Sequence, residues 1–186
     1  MKSKNLICLV GETSRGKDTV AKILQEDYNL KPVCSYTTRP MRPGEVEGKE
    51  HYFITRELAE NYYPEYENIV ARTEINGNIY FATSKNIQDA DFYIIDPNGI
   101  KFFDKRHPEI SKFIVYITCS LDIARERAMK RGDKMTVFED RVIDEFKQFE
   151  EFKQSHGYHT VITNNGTIID LKKQVDLMIQ EYHKFY

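Results

Sequence analysis

The stretch Gly11-Glu12-Thr13-Ser14-Arg15-Gly16-Lys17-Asp18 restricts the possible folds of this chain more than any other segment. It follows the apolar run Leu6–Val10 and opens a stretch in which Val20, Ile23 and Leu24 share a helical face, so it predicts strand, tight loop and helix in succession. In that setting backbone N–H groups converge on an anion at the helix N-terminus, and Lys17 adds a mobile positive charge. The bare motif arises by chance in roughly one chain in twenty of this size. Its placement at the first strand-to-helix junction therefore carries the argument, and the loop is read as a phosphate cradle.

Further apolar runs of strand length lie at Val33–Tyr36, Phe92–Ile95, Phe113–Ile117 and Thr160–Ile162, most of them followed by helical patterns. This alternation predicts an α/β fold with a mainly parallel sheet wrapped by helices. The strands lack polar alternation, as expected when both sheet faces are covered. Val142, Phe146, Phe149 and Phe152 fall at helical spacing, as do Leu171, Val175, Met178 and Tyr182, so each set predicts one core-facing stripe. Ser120 reads as the N-cap of a helix over Leu121–Lys130, and Asn165-Gly166 as a turn before the last helix.

The length, 186 residues, suits one domain with inserts. The core is expected over 1–36 and 86–186. An inserted lobe over 37–85 is rich in Pro, Gly, Tyr and charge, and its Asn76-Gly77-Asn78 predicts a hairpin between Val70–Ile75 and Ile79–Ala82. Residues 131–141 are polar and read as a hinge-like lid.

A net charge of -2 provides no global field for nucleic acid or an anionic membrane, so any anionic ligand must be held by local basic clusters. No run approaches a membrane span, and the start Met1-Lys2-Ser3-Lys4 leads into too few apolar residues for a signal peptide, which predicts a cytoplasmic protein. A monomer or homodimer is expected. Cys8, Cys34 and Cys119 are far apart and lie in or beside apolar runs. They read as small hydrophobes in a reducing compartment rather than as metal ligands.

In Ser35-Tyr36-Thr37-Thr38-Arg39-Pro40-Met41-Arg42-Pro43-Gly44-Glu45-Val46-Glu47-Gly48-Lys49-Glu50-His51-Tyr52-Phe53, two arginines three apart beside hydroxyl and aromatic groups make a fork for a phosphate dianion. This segment resembles the signature segment of guanylate kinases. The resemblance runs on through Gly77-Asn78-Ile79-Tyr80 with Thr83-Ser84-Lys85, Ile94-Ile95-Asp96-Pro97-Asn98-Gly99 and Val161-Ile162-Thr163-Asn164-Asn165. It implies a phosphate-loop kinase core with an acceptor-binding lobe and a short lid, acting on ATP and a nucleoside monophosphate.

On the resemblance, Gly11 to Thr19 and Arg127 bind ATP, while Ser35, Arg39, Arg42 and Tyr80 hold the acceptor phosphate and Thr83 faces the base. His51 matches the family's phosphate-contacting tyrosine, and its neighbour Tyr52 is a second candidate for that contact. Arg131 and Arg141 match lid arginines that close over the transferred group, with Arg125 a less specific neighbour. Lys17, Arg39, Arg131, Arg141 and Asp96 form the expected catalytic set, Asp96 orienting Lys17 or metal-bound water.

Three departures stand out. Asp18 replaces the usual Ser or Thr after the loop lysine; a carboxylate is also a hard oxygen ligand, so Asp18, with Thr19 next to it, is expected to contact Mg²⁺ brought in with ATP. Ala71 stands where a guanine-reading glutamate is expected, with Glu67, Arg72 and Glu74 as possible replacements. Ile94 replaces a second aspartate near Asp96. The expected reaction is phosphoryl transfer from ATP to GMP or dGMP. The alternatives are a nucleoside or deoxynucleoside monophosphate kinase of different or broader base specificity and a non-catalytic binding module.

Overall fold

Every residue of the first strand from Leu6 to Val10 is buried, which is why the run shows no polar alternation. The computed structural model describes residues 5–61 and 68–186. Strand β1 (Asn5–Val10) lies at the centre of a four-stranded sheet, followed by α1 (Lys17–Tyr28). Its neighbours are β6 (Phe92–Ile94) and β7 (Ser111–Thr118), with β8 (Thr160–Thr163) beyond β7, giving the order β6-β1-β7-β8. All three pairings are parallel, and Leu9 lies opposite both Ile94 and Val115.

The period of two along β1 divides the core. Ile7 and Leu9 pack with Val20 and Leu24 of α1 and with Leu171, Val175 and Met178 of α7 (Ile168–Phe185). Leu6, Cys8 and Val10 pack on the other face with Ile100 and Phe103 of α4 (Pro97–Arg106) and Phe149 and Phe152 of α6 (Met135–Gln154). Helix α5 (Leu121–Arg131) starts at Ser120, whose Oγ accepts from Ile123 N at 3.3 Å.

A second sheet, in the order β3-β2-β5-β4, is built from β2 (Ser35–Thr37), β3 (His51–Phe53), β4 (Ile69–Ile75) and β5 (Asn78–Thr83). Strands β4 and β5 form the predicted hairpin, with Ile75 opposite Asn78. Two short helices, α2 (Arg56–Asn61) and α3 (Ser84–Ile87), complete this part of the chain.

Three expectations need correction. The run Val33–Tyr36 does not form a core strand: Pro32 bridges Phe92 and Val33 N donates to Phe92 O at 2.7 Å, but from Ser35 onward the chain pairs with β3 and β5. Strand β6 ends at Ile94, so it has no ladder for Ser35 to join. The polar segment 131–141 is mostly helical, because Phe138 is buried against Ala124 and Ala128; only Gly132 to Lys134 lie between α5 and α6. On α6 the buried stripe is Phe138, Glu145, Phe149 and Phe152, while Phe146 is 64% exposed. A carboxylate occupies the core-facing position, and the neighbouring Phe146 is turned to the outside.

These placements predict opposite outcomes for two phenylalanines three residues apart. Phe149→Ala is expected to cost about 3–5 kcal/mol in urea unfolding. Phe146→Ala should stay within about 0.5 kcal/mol of the parent.

Candidate active site

Gly11 and Gly16 let the loop after β1 close tightly. A Cβ on Gly11 would lie 2.3 Å from Ile117 O; one on Gly16, which has φ +101°, would lie 2.1 Å from Asn164 Nδ2. Asn164, buried at the end of β8, donates through Nδ2 to Arg15 O at 3.1 Å, and its own N donates to Thr118 O at 2.7 Å. Arg127 of α5 donates through Nη2 to Asn164 O at 3.0 Å and to Oδ1 at 3.2 Å. Its buried Nη1 has no partner among the described residues and lies beside Gly16. The loop thus leads into the N-terminus of α1, where the first N–H groups of the helix face an anion site.

Side chains of the loop are held from below. Tyr116 OH donates to Glu12 Oε1 at 3.0 Å, and Arg15 donates to Cys119 O, so both residues offer the site their backbone rather than their side chains. Lys17 Nζ donates to Gly11 O at 2.6 Å and Glu12 O at 2.9 Å. Burial pulls its ammonium below the ordinary lysine value, against the opposing effect of Glu145 and Asp18.

The acceptor-side residues meet on one face of the second sheet. His51 Nδ1 lies 3.0 Å from Ser35 Oγ, and its ring meets Tyr80 edge-on at 5.9 Å. Arg39 is held bidentately by Glu45 at 2.8 and 2.9 Å, and Arg42 N donates to the same carboxylate at 2.7 Å. Burial, then Arg39, Arg131 and Arg141, pull Arg42 below the ordinary arginine value. The charges of Arg39, Arg131 and Arg141 thus reach Arg42, and the four guanidinium groups form one cluster.

The flanks of the α5–α6 turn complete it. Arg131 pairs with Asp133 and donates through Nη2 to Ser14 Oγ at 3.2 Å. Arg141 Nη2 lies 3.5 Å from Glu145 Oε1, while Glu145 Oε2 accepts from Thr13 N at 2.7 Å. Arg125 instead pairs with Asp122 and Glu139 at 3.3 and 3.9 Å.

Several expected site residues point elsewhere. Tyr52 stacks on Tyr36 with ring centres 4.9 Å apart, on the face opposite His51, because neighbouring residues of a strand alternate. It leaves the acceptor set. Asn86 Oδ1 accepts from both N and Oγ1 of Thr83 at 2.7 Å, so the Thr83 hydroxyl serves α3 rather than an open pocket. Asp96 caps α4 by accepting from Gly99 N at 2.7 Å, and it accepts from Thr73 Oγ1 at 2.8 Å. Lys17 Nζ rests on backbone carbonyls, and among the described residues no hydrogen bond joins it to Asp96. Burial raises the Asp96 carboxyl above the usual value.

Ala71 is 2% exposed and packs with Val70 and Ala82. Of the possible replacements, Glu74 lies 3.5 Å from Arg56 at the hairpin, Arg72 lies on β4 opposite Phe81, and Glu67 lies outside the described residues. Among the described residues no group of three or more His, Cys, Asp or Glu side chains could hold a metal. Asp18 and Thr19 are exposed on the first turn of α1, and an exposed carboxylate there suits a Mg²⁺ whose other ligands are phosphate and water.

Glu45, Asn164 and Glu145 were not identified as site residues from sequence. Glu45 and Asn164 lie inside segments that carry the family resemblance, and Glu145 shows as an acid at core spacing from Phe138, Phe149 and Phe152.

The chain is similar to known proteins along nearly its whole length. The family model described as guanylate kinase matches residues 3–182. The guanylate kinase of Wolinella succinogenes is 28% identical over 94% of this chain and 81% of its own length. That of Caldanaerobacter subterraneus subsp. tengcongensis is 28% identical over 95% and 87%. The crystal structure of guanylate kinase from Anaplasma phagocytophilum superposes with a TM-score of 0.64 at 26% identity, covering 97% of this chain and 87% of that one.

The site imposes a pH dependence on stability. Burial, then Arg39, lowers the His51 pKa below its ordinary 6.5. The unfolded chain therefore takes up this proton first, and stability present above pH 6.5 is lost as pH falls. In urea unfolding, His51→Asn should lose less stability than the parent between pH 7.5 and 5.5, values chosen about one unit either side of the free histidine pKa.

Proposed function

This chain belongs to the guanylate kinase family and is a nucleoside monophosphate kinase, and from that premise we propose that it transfers the γ-phosphoryl group of ATP to GMP or dGMP, with Mg²⁺. The observation that carries the reading is that Arg131 bonds Ser14 of the phosphate loop and Arg141 faces Glu145, which accepts from Thr13 N of the same loop, with Arg39 and Arg42 near enough to share their field. Phosphoryl transfer asks a protein mainly for in-line positioning and neutralisation of spreading negative charge. A loop of free amides facing a fork of arginines supplies both.

In this proposal the amides from Gly16 to Thr19 and the Lys17 ammonium hold the donor phosphates, and Arg127 lies beside them. Asp18, directly or through water, would help hold the Mg²⁺ that comes with ATP, whose charge would neutralise the donor phosphates. Arg39 and Arg42 aim the acceptor phosphate, with His51, Ser35 and Tyr80 around it. Residues 131–141 act as the lid: Arg131 and Arg141 close over the transferred group and exclude water. Asp96 acts through its cap on α4 and its bond to Thr73, which ties the second sheet to the core. No described helix is long and apolar enough to cross a membrane, and we place the enzyme in the cytoplasm.

A second reading, a kinase of broader base specificity, is favoured by one observation. Ala71 is buried among apolar groups and offers no carboxylate to the N–H donors of guanine.

Lys17→Ala is expected to lower turnover at least about a hundredfold, since one lost charge donor at a transition state costs ~3 kcal/mol. Near-normal turnover would remove Lys17 from its role. For the base, kcat/KM should be compared across GMP, dGMP, AMP, dTMP and CMP. GMP is expected to lead, but only by ~10–200-fold, the range of a mostly apolar contact. A lead above about a thousandfold would show that another group reads guanine.

A further inference from the structure

Glu145 has no part in the roles assigned above, yet among the described residues it is the one acidic side chain in the buried set, at 6% exposure. A carboxylate in that position persists only if its oxygens are paired. Both are: Oε2 accepts from Thr13 N at 2.7 Å, and Oε1 faces Arg141 Nη2 at 3.5 Å. Glu145 and Arg141 lie one turn apart on α6, whereas Thr13 is 132 residues away in the phosphate loop. One side chain thus joins the two parts of the site that must meet for transfer.

Thr13 precedes the helix. The amides free for phosphate at the start of α1 run from Gly16 to Thr19, because Val20 N already donates to Gly16 O at 3.1 Å. Glu145 and a donor phosphate therefore use different N–H groups and can coexist. Arg141 Nε is buried without a partner among the described residues, so the Glu145 carboxylate supplies the anchor that sets the direction of this guanidinium.

We propose that Glu145 is a positioning residue for phosphoryl transfer: it clasps the leading edge of the phosphate loop to α6 and so aims Arg141 at the transferred group. This rests on the role proposed above for Arg141. Glutamine at this position would still accept from Thr13 N but would not balance the arginine charge. The clasp and the aiming are therefore separable.

The test uses the full chain and the monophosphate that the parent turns over fastest, so a wrong assignment of the base leaves it intact. Single-turnover rates are measured for Glu145→Gln, Arg141→Ala and the double variant, with KM values for ATP and acceptor. Glu145→Gln should lower the rate about ten- to a hundredfold, as for a misplaced group, with both KM values within about threefold. In the Arg141→Ala background the glutamine should cost nothing further.

Hydrogen exchange of the loop amides in the unliganded protein should be unchanged in Glu145→Gln and faster in Glu145→Ala. Additive losses, a loss confined to KM, or unaltered loop exchange in Glu145→Ala would overturn the proposal while leaving Arg141 in place. An Arg141→Ala variant with full turnover would remove the role assigned to Arg141, and this inference with it.

Discussion

Lys17, Arg39, Arg42, Arg131 and Arg141 lie near enough to act on one another's charge, and the cost of gathering like charges governs the surrounding structure. Two unit charges about 4 Å apart repel by about 4 kcal/mol at the effective dielectric near a protein surface. The chain offsets this locally. Glu45 holds Arg39, Asp133 holds Arg131 and Glu145 faces Arg141, each acid lying within six residues of its partner in sequence. The cations are thus oriented before any phosphate arrives, which reduces the reorganisation left for the reaction.

The parallel sheet explains why these groups can meet. The phosphate loop follows β1, Asp96 follows β6, Cys119 and Ser120 follow β7, and Asn164 follows β8, so four strand ends open on the same edge. Ligands of open α/β sheets bind outside the carboxyl ends of the strands for this reason. Asn164 uses the arrangement directly, bonding to the ends of β7, the loop and α5 at once. The second sheet approaches from the side and contributes the arginine fork, with the Thr73–Asp96 bond as a link between the two sheets.

In the function proposed here, phosphate recognition and base recognition rest on different chemistry. The residues proposed for phosphate are the loop glycines, the arginines and His51, the last in contact with Ser35. The base side has an apolar Ala71 in the core and a Thr83 hydroxyl turned to Asn86. Anion binding here depends on backbone geometry and fixed charge, which restrict sequence tightly. Base selection depends on a few hydrogen-bonding side chains and changes with single substitutions.

Local physics was legible in the sequence. The loop with its flanking strand and helix, the Asn76-Gly77 hairpin, the Ser120 cap and the apolar stripe of α7 each depend on residues within a few positions of one another, so spacing alone revealed them. Likewise the Arg39–Arg42 pair was identifiable by type and interval, whereas Arg131 and Arg141 entered through the family resemblance. Tertiary structure decided the rest: that Ser35 leaves the core sheet, that Tyr52 faces away from His51, that Phe146 lies outside while Glu145 takes the buried position, and that Asn164 and Glu145 grip the phosphate loop. These outcomes depend on which elements become neighbours, for Asn164 and Glu145 across more than a hundred residues, and a helical or strand period records only that a face is covered, not what covers it.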